Sequence, residues 1–409
     1  MQQIQADGNI NGTVITGTTG FVGGELLIKL LRHSARRLIC PVRAGSDQAA
    51  VERGHNRLVE LVGKVDALEL QSRVQWLRGD IEECQLGWNR QQWHDVAMQT
   101  NEIYHCAASV SFDLPLDQAH RINVEGTIHV YELAQAAAAR HGNFERFHHV
   151  STAYVAGTTN GRVDSDFVPA DTAGNFRNTY ERTKARAERY LRAEASSNVP
   201  VSIHRPSIIA GNSLTGRTTN WNVLYVPMKM VARGALPVFP RGGREIVDAV
   251  AVDFLVDGMV TFGQLDNGRL ASHHLTAGPT AFTVTDLITL TSEMAAAHGK
   301  FAPSNTTLLR RPTWLALVAA VKAMTRLPKR VGAVRVKARM AKRGIDQCSV
   351  YLPYTQVNTT FDAAKDHDVL RVFGVNMPDG PTYLETITAY ALATNFGKIS
   401  GDRAVAATS

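Results

Sequence analysis

The sequence predicts an α/β chain, with a doubly wound parallel sheet over its first 210 residues and a smaller, mostly helical C-terminal region. Two observations carry this. Short apolar runs alternate with helical stretches at the rhythm of a sheet covered on both faces. A glycine triplet also follows the first apolar run where a helix begins.

In chain order, strands are expected at 13–16, 38–43, 74–77, 102–106, 146–150 and 201–204. Helices are expected at about 22–33, 48–62, 117–140 and 178–195. A returning strand fits 273–277, inside a stretch near 245–280 assigned to the same Rossmann-like domain, 1–210. Gly, Pro and Thr cluster at 211–220 and 234–243, the composition of loops over an active site. A substrate-binding region is expected from 211–244 together with 281–409.

Composition narrows the class. Hydrophobic residues make up 44% and charged residues 20% of the 409, as in ordinary globular chains. The polar N-terminus lacks an apolar signal core, so export is not expected. The longest greasy stretch, 314–321, is short of the about 20 residues that span a bilayer. Four scattered cysteines (Cys40, Cys84, Cys106, Cys348) form no C-x-x-C pair and no metal-ligand spacing, which fits a reduced, cytoplasmic protein without a metal site.

The net charge of +7 is unevenly placed. Residues 294–345 hold 12 Lys and Arg and no acid, leaving 32 basic residues to face 37 acidic ones elsewhere. This argues for a local anion-binding surface around 300–343 rather than a nucleic-acid coat. Peripheral attachment to an anionic membrane is a competing use, because Trp314, Leu315, Leu317, Val318 and Val321 form an apolar stripe beside the charges.

In VITGTTGFVGGELL, Gly17, Gly20 and Gly23 let the backbone turn tightly and approach a pyrophosphate at a helix N-terminus. After the second strand the chain reads Cys-Pro-Val-Arg-Ala, without the acid that takes the ribose hydroxyls in NAD enzymes. Arg43 is the candidate clamp for a 2′-phosphate, with Arg53 and Arg57 in support, so NADPH is expected. Asp80, in RGDIEE, is placed to accept from the adenine amino group.

Tyr180 and Lys184 stand four residues apart on one predicted helix face. A tyrosine near its ordinary pKa of about 10 is a poor acid–base at neutral pH, and a nearby cation is expected to favour the phenolate. Thr152, at the carboxyl edge of the fifth strand, is placed to bond a substrate oxygen as charge develops. Asn123 is a candidate anchor for a proton-relay water, with a bond to a neighbouring carbonyl as its competing use.

Glycine loop, Thr152, Tyr180 and Lys184 occur in the order and spacing of the extended short-chain dehydrogenases, which the chain resembles. CPVRA, GDIEE, IYHCAASVSFDLPL, INVEGT, VSTAYVAG, the N-x-Y-E-x-x-K run and HRPSIIAGNSLTG are more specifically similar to the thioester reductases. That group includes fatty acyl-CoA reductases and the terminal reductase domains of carboxylic acid reductases and peptide synthetases. The likeness covers about 13–216. Val155-Ala156-Gly157 stands where sugar epimerases usually carry V-Y-G.

The resemblance implies hydride delivery from NADPH to a thioester carbonyl, with Thr152 and Tyr180 at the oxyanion and aldehyde or alcohol as product. It implies a cofactor site of Gly17, Thr19, Gly20, Phe21, Val22, Gly23, Arg43, Arg53, Arg57, Asp80 and Ile81 on the adenosine and pyrophosphate side. Ala107, Ala108, Asn123, Lys184, Pro206, Ser207 and Ile208 would complete it. No adenylation or carrier domain is seen, so the acyl group is expected on CoA or on a separate acyl carrier protein. The long basic insert departs from the peptide-synthetase reductase domains. A sugar-nucleotide or sterol enzyme of the same superfamily needs the same Thr-Tyr-Lys set and is the alternative.

Overall fold

The computed structural model describes residues 12–399, apart from 222, 237, 241–245, 302, 304–305, 327–335, 337, 340–341, 343–344 and 346–358. Seven strands form one parallel sheet: β1 (Gly12–Thr16), β2 (Arg37–Val42), β3 (Val74–Arg78), β4 (Thr100–His105), β5 (Arg146–Val150), β6 (Val201–Pro206) and β7 (Leu270–Leu275). Their order is β7-β6-β5-β4-β1-β2-β3, so the chain reverses direction between β1 and β4. The carboxyl ends there open a crevice, the usual ligand position in a doubly wound sheet.

Alternation along the strands sends neighbouring residues to opposite faces. Val14, Ile39, Ile103, Phe147 and Ile203 pack beneath α3 (Gly126–His141) and α4 (Thr179–Glu194). Ile15, Leu38 and Cys40 pack on the other face with α1 (Phe21–His33), α2 (Asp47–Val62) and α5 (Val252–Leu265). β2 reads as an apolar run for that reason, while β4 to β7 also bury polar groups such as Glu102, His148, His204 and His274.

Local signals start the helices. Ser46 accepts from the Ala49 amide at 3.2 Å to open α2, and Asn178 accepts from Glu181 at 2.9 Å to open α4. The segment expected as one helix over 117–140 is instead a short helix Leu116–His120, a π-helical turn Arg121–Glu125 and then α3. Asn123 lies within this π turn, a feature frequent at functional sites. The returning strand lies a few residues before the expected 273–277. Helices at Lys64–Leu70 and Arg90–Gln99 were not expected.

Beyond β6, short strands Ile208–Ala210 and Ala249–Ala251 pair in parallel, and Thr359–Phe361 pairs with Gly161–Val163. Helices Tyr225–Ala232, Val284–His298, Arg311–Met324, Ala364–Val372 and Gly380–Ala393 make the rest mostly helical. Of the basic stretch 300–343, residues 302, 304–305, 327–335, 337, 340–341 and 343 lie outside the described residues, as does Cys348. Among the described residues no helix is long and apolar enough to cross a membrane.

Candidate active site

A cavity of about 850 Å³ lies at the carboxyl ends of the strands. Its walls bring together Gly17, Thr19, Gly20, Arg43, Arg53, Asp80, Ile81, Ala107, Ala108, Thr152, Tyr180, Ser207 and Ile208, thirteen of the residues expected from sequence. Residues as far apart as 17 and 208 meet because each follows a strand of the central sheet.

The glycine loop has no room for side chains. Gly17 adopts φ +76°, and a Cβ there would lie 2.8 Å from the Ala107 amide nitrogen. A Cβ on Gly23 would lie 2.3 Å from the Gly17 carbonyl oxygen, inside van der Waals contact. The Gly20 amide closes the turn onto that same oxygen at 2.9 Å. Thr16 Oγ1 accepts from the Ala107 amide at 3.2 Å and meets His105 Nδ1 at 2.9 Å, tying the ends of β1 and β4 together. This cradle, followed by the N-terminus of α1, fits the pyrophosphate of a nicotinamide dinucleotide. Phe21, Val22 and Gly23 form the first turn of α1 beneath it.

Arg43 lines the cavity with its side chain 68% exposed, and the fold brings Glu82 to 3.2 Å from it. The acid missing along the sequence thus arrives from the loop after β3. An exposed pair of this kind contributes only about 0–1 kcal/mol and yields easily to a phosphate. Arg53 donates to the Arg43 carbonyl at 2.6 Å and lines the same wall. Arg57 is buried and donates to the Gly20 carbonyl at 3.1 Å, so it braces the glycine loop from behind instead of facing the cavity. Asp80 accepts from the Glu82 amide at 3.1 Å, shaping the turn whose other side borders the cavity.

The Thr152 side chain lies near enough to the Tyr180 hydroxyl to act on it. Thr152 Oγ1 also donates to the Pro206 carbonyl at 3.4 Å and accepts from the Tyr154 amide at 3.3 Å. Phe112 lies against the Tyr180 ring, centroids 5.8 Å apart. The expected lowering of the tyrosine is not what the structure has. Burial pushes the Tyr180 hydroxyl up to about 12, the Thr152 side chain opposes this, and Glu181 adds to it.

The lysine explains the difference. Lys184 is 2% exposed and its Nζ lies 3.2 Å from His149 Nε2. Burial lowers it to about 8, against the raising effects of Glu188 and Cys106. Burial and the Lys184 charge keep His149 well below the usual imidazole range, so it is the neutral acceptor of that bond. Asn123 clamps the loop after β4: Oδ1 accepts from the Ser109 amide at 2.8 Å, and Nδ2 donates to the Ser109 carbonyl at 3.1 Å and to Thr183 Oγ1 at 3.0 Å. Both of its amide protons are thereby used, which favours the carbonyl-bonding reading over the water anchor.

Two further residues hold α4 on the sheet. Glu188 and Arg205 form a fully buried pair, Nη2 to Oε2 2.5 Å and Nε to Oε1 3.0 Å, and Ser151 Oγ donates to Glu188 at 2.5 Å. Burial opposes ionisation of Glu188, but Arg205, Arg192 and Ser151 keep its carboxyl below the usual range. Sequence reasoning missed both, although Glu188 continues the four-residue spacing of Tyr180 and Lys184, and Arg205 is a full charge within a strand of the sheet. Among the described residues no group of three or more His, Cys, Asp or Glu is arranged to hold a metal ion.

The male sterility protein family matches residues 15–259, more than half of the chain. The chain belongs to this family and is an extended short-chain dehydrogenase/reductase of the thioester reductase group. The terminal R domain from the myxalamid PKS-NRPS biosynthetic pathway superposes with a TM-score of 0.75 at 23% identity, covering 96% of this chain and 93% of that one. A putative fatty acyl-CoA reductase of Drosophila melanogaster is 28% identical over 63% of this chain and 55% of its own length. A nonribosomal peptide synthetase of Aspergillus flavus is 27% identical over 60% of this chain and 24% of its length. The matched part thus spans from about a quarter to about half of these curated relatives.

Proposed function

We propose that the chain is an NADPH-dependent reductase of acyl thioesters, carried on CoA or on an acyl carrier protein, that forms an aldehyde and, in a second round, the alcohol. One observation carries it: Thr152 and Tyr180 line the same cavity as the glycine cradle.

When bound, the dinucleotide supplies a hydride to the thioester carbonyl carbon. Tyr180 donates a hydrogen bond to the carbonyl oxygen, and Thr152 donates a second once its hydroxyl turns from the long 3.4 Å bond to the Pro206 carbonyl; both strengthen as negative charge develops there. Tyr180, protonated at neutral pH and held more firmly so by burial, gives its proton to that oxygen. The resulting hemithioacetal collapses, its carbon–sulfur bond breaks, and thiol and aldehyde leave. Lys184 supplies a cation one helical turn behind the tyrosine.

The test follows NADPH consumption with acyl-CoA and acyl-carrier-protein thioesters, identifying products by mass. Tyr180→Phe is expected to lower turnover by about 10²–10⁴-fold while NADPH binding persists. Turnover retained within about tenfold, roughly 1.4 kcal/mol of barrier, removes Tyr180 from the chemistry.

A further inference from the structure

A second cavity, of about 350 Å³, lies beside the first, and Tyr154 is a wall of both. Tyr154 follows Thr152 by two residues and meets Phe361 edge-on, centroids 5.5 Å apart. Phe361 belongs to the strand Thr359–Phe361, which the C-terminal region adds beside Gly161–Val163. The second cavity therefore lies between the catalytic turn and the C-terminal region, on the side of Tyr154 away from the glycine loop.

Its charged neighbours are engaged with one another or with backbone. Arg162 pairs with Asp362 at 2.6 Å, Arg177 with Glu181 at 3.2 Å, and Asp248 accepts from the Ala277 amide at 2.7 Å. Apart from Tyr154, Thr359 and Thr360, what remains is carbon: Ala156, Ile246, Pro279, Phe361, Ala363 and Ala364. Ile246 is 39% exposed, an apolar side chain without full cover at the wall of an apolar space. Ligand sites of this size are typically apolar with few polar groups.

A thioester carbonyl held by Thr152 and Tyr180 has two substituents that leave in different directions. One is the thiol-side handle, polar and anionic, which must reach solvent. The other is the acyl group, which gains by leaving water.

We infer that the second cavity receives the acyl group of the substrate, an apolar chain or ring, past Tyr154, while the thiol handle runs out through the mouth of the larger cavity. This rests on the thioester-reductase reading. Each buried methylene strengthens binding by about fourfold, so kcat/KM climbs with chain length until the cavity is full.

The test measures kcat/KM for straight-chain acyl thioesters from acetyl to dodecanoyl, on CoA and again on N-acetylcysteamine. Ile246→Trp and Ala364→Trp fill the space from exposed positions, and Phe361→Ala enlarges it. The filling variants are expected to lose about tenfold or more on the longest chains that wild type accepts and to keep acetyl within about twofold. Phe361→Ala moves the optimum to longer chains, the pattern is the same on both thiols, and NADPH binding followed by fluorescence is unchanged. Equal losses at every chain length overturn the inference. So does a loss on CoA that vanishes on N-acetylcysteamine, since the cavity would then serve the handle. A wild-type enzyme that reduces none of these thioesters overturns the thioester reading itself, and the acyl assignment with it.

Discussion

Lys184 has a partner that its spacing from Tyr180 does not announce. His149 Nε2 accepts from its ammonium at 3.2 Å. His105, Cys106, His204 and Glu188 are the other titratable groups felt at the pair. Removing the acceptor destabilises the ammonium, so Lys184 should fall further below its buried value of about 8. If turnover needs the charged lysine, the alkaline limb of kcat/KM in His149→Leu moves down. A hydrogen bond to a charged group contributes about 1.5–3 kcal/mol, so the shift expected is about one to two pH units. His149→Gln, which keeps an acceptor, should restore most of it; an alkaline limb that stays put in the leucine variant denies His149 this positioning role. Arg43 gives a second residue-scale prediction. Its exposed pair with Glu82 is cheap to break, so Arg43→Ala should weaken NADPH about ten- to a hundredfold relative to NADH. An unchanged ratio of the two dissociation constants would pass the 2′-phosphate to Arg53, which lines the same wall.

Between elements, the junction of β7 with the helix Ala364–Val372 carries a pH dependence. His273 lies between Asp266 Oδ2 at 3.1 Å and Asp366 Oδ1 at 2.9 Å. Burial works against its charge, but the two carboxylates prevail and raise it to about 9. Because the folded value lies above the unfolded one of about 6.5, its stabilisation is complete below pH about 6.5 and is lost as pH rises through about 9. Its contribution is on the order of 3 kcal/mol. Wild type should therefore lose Tm between pH 6.5 and 9 on this account, and His273→Gln should start lower and show a flatter slope in that window. Parallel slopes for the two proteins would place the titration elsewhere. At this scale the sequence shows the main elements well, because β1 and β2 put Val14, Ile15, Ile39 and Cys40 in short apolar runs and Ser46 and Asn178 mark helix starts. The π turn at Arg121–Glu125 was hidden, since a single inserted residue leaves helical periodicity nearly unchanged. Thr152, Tyr180 and the glycines were legible for the same reason as the strands: local spacing sets their places. The roles of Arg57, Asn123 and His149 depend on which distant residues the fold brings near, and no spacing along the chain encodes that.

Over the whole molecule, charge and apolar packing are separated along the chain. One apolar cluster runs from the Ile15 face of the sheet to Leu384 and Ile387 near the C-terminus, while the cations concentrate at 294–345. Downstream of that stretch, the chain returns as Thr359–Phe361 to the wall of the second cavity, so the basic residues are tethered close in sequence to the proposed acyl site. A thioester on CoA or on a carrier protein brings an anionic handle, and a stretch of sequence with twelve cations and no acid suits it better than solubility alone requires. We predict that neutralising Arg335, Lys337 and Arg339 together to Gln raises the substrate KM about three- to tenfold at low ionic strength. Arg335 and Lys337 lie outside the described residues, so the prediction rests on charge and not on geometry. Exposed charges are screened beyond about 10 Å at 0.1 M salt, so the wild-type KM should climb with salt and that of the triple variant should stay nearly flat. Saturated turnover should change little, because remote handle contacts act on ground and transition states alike. Flotation with anionic vesicles distinguishes a membrane role, in which wild type floats and the variant does not. A wild-type KM indifferent to salt would leave the stretch as a solvated face.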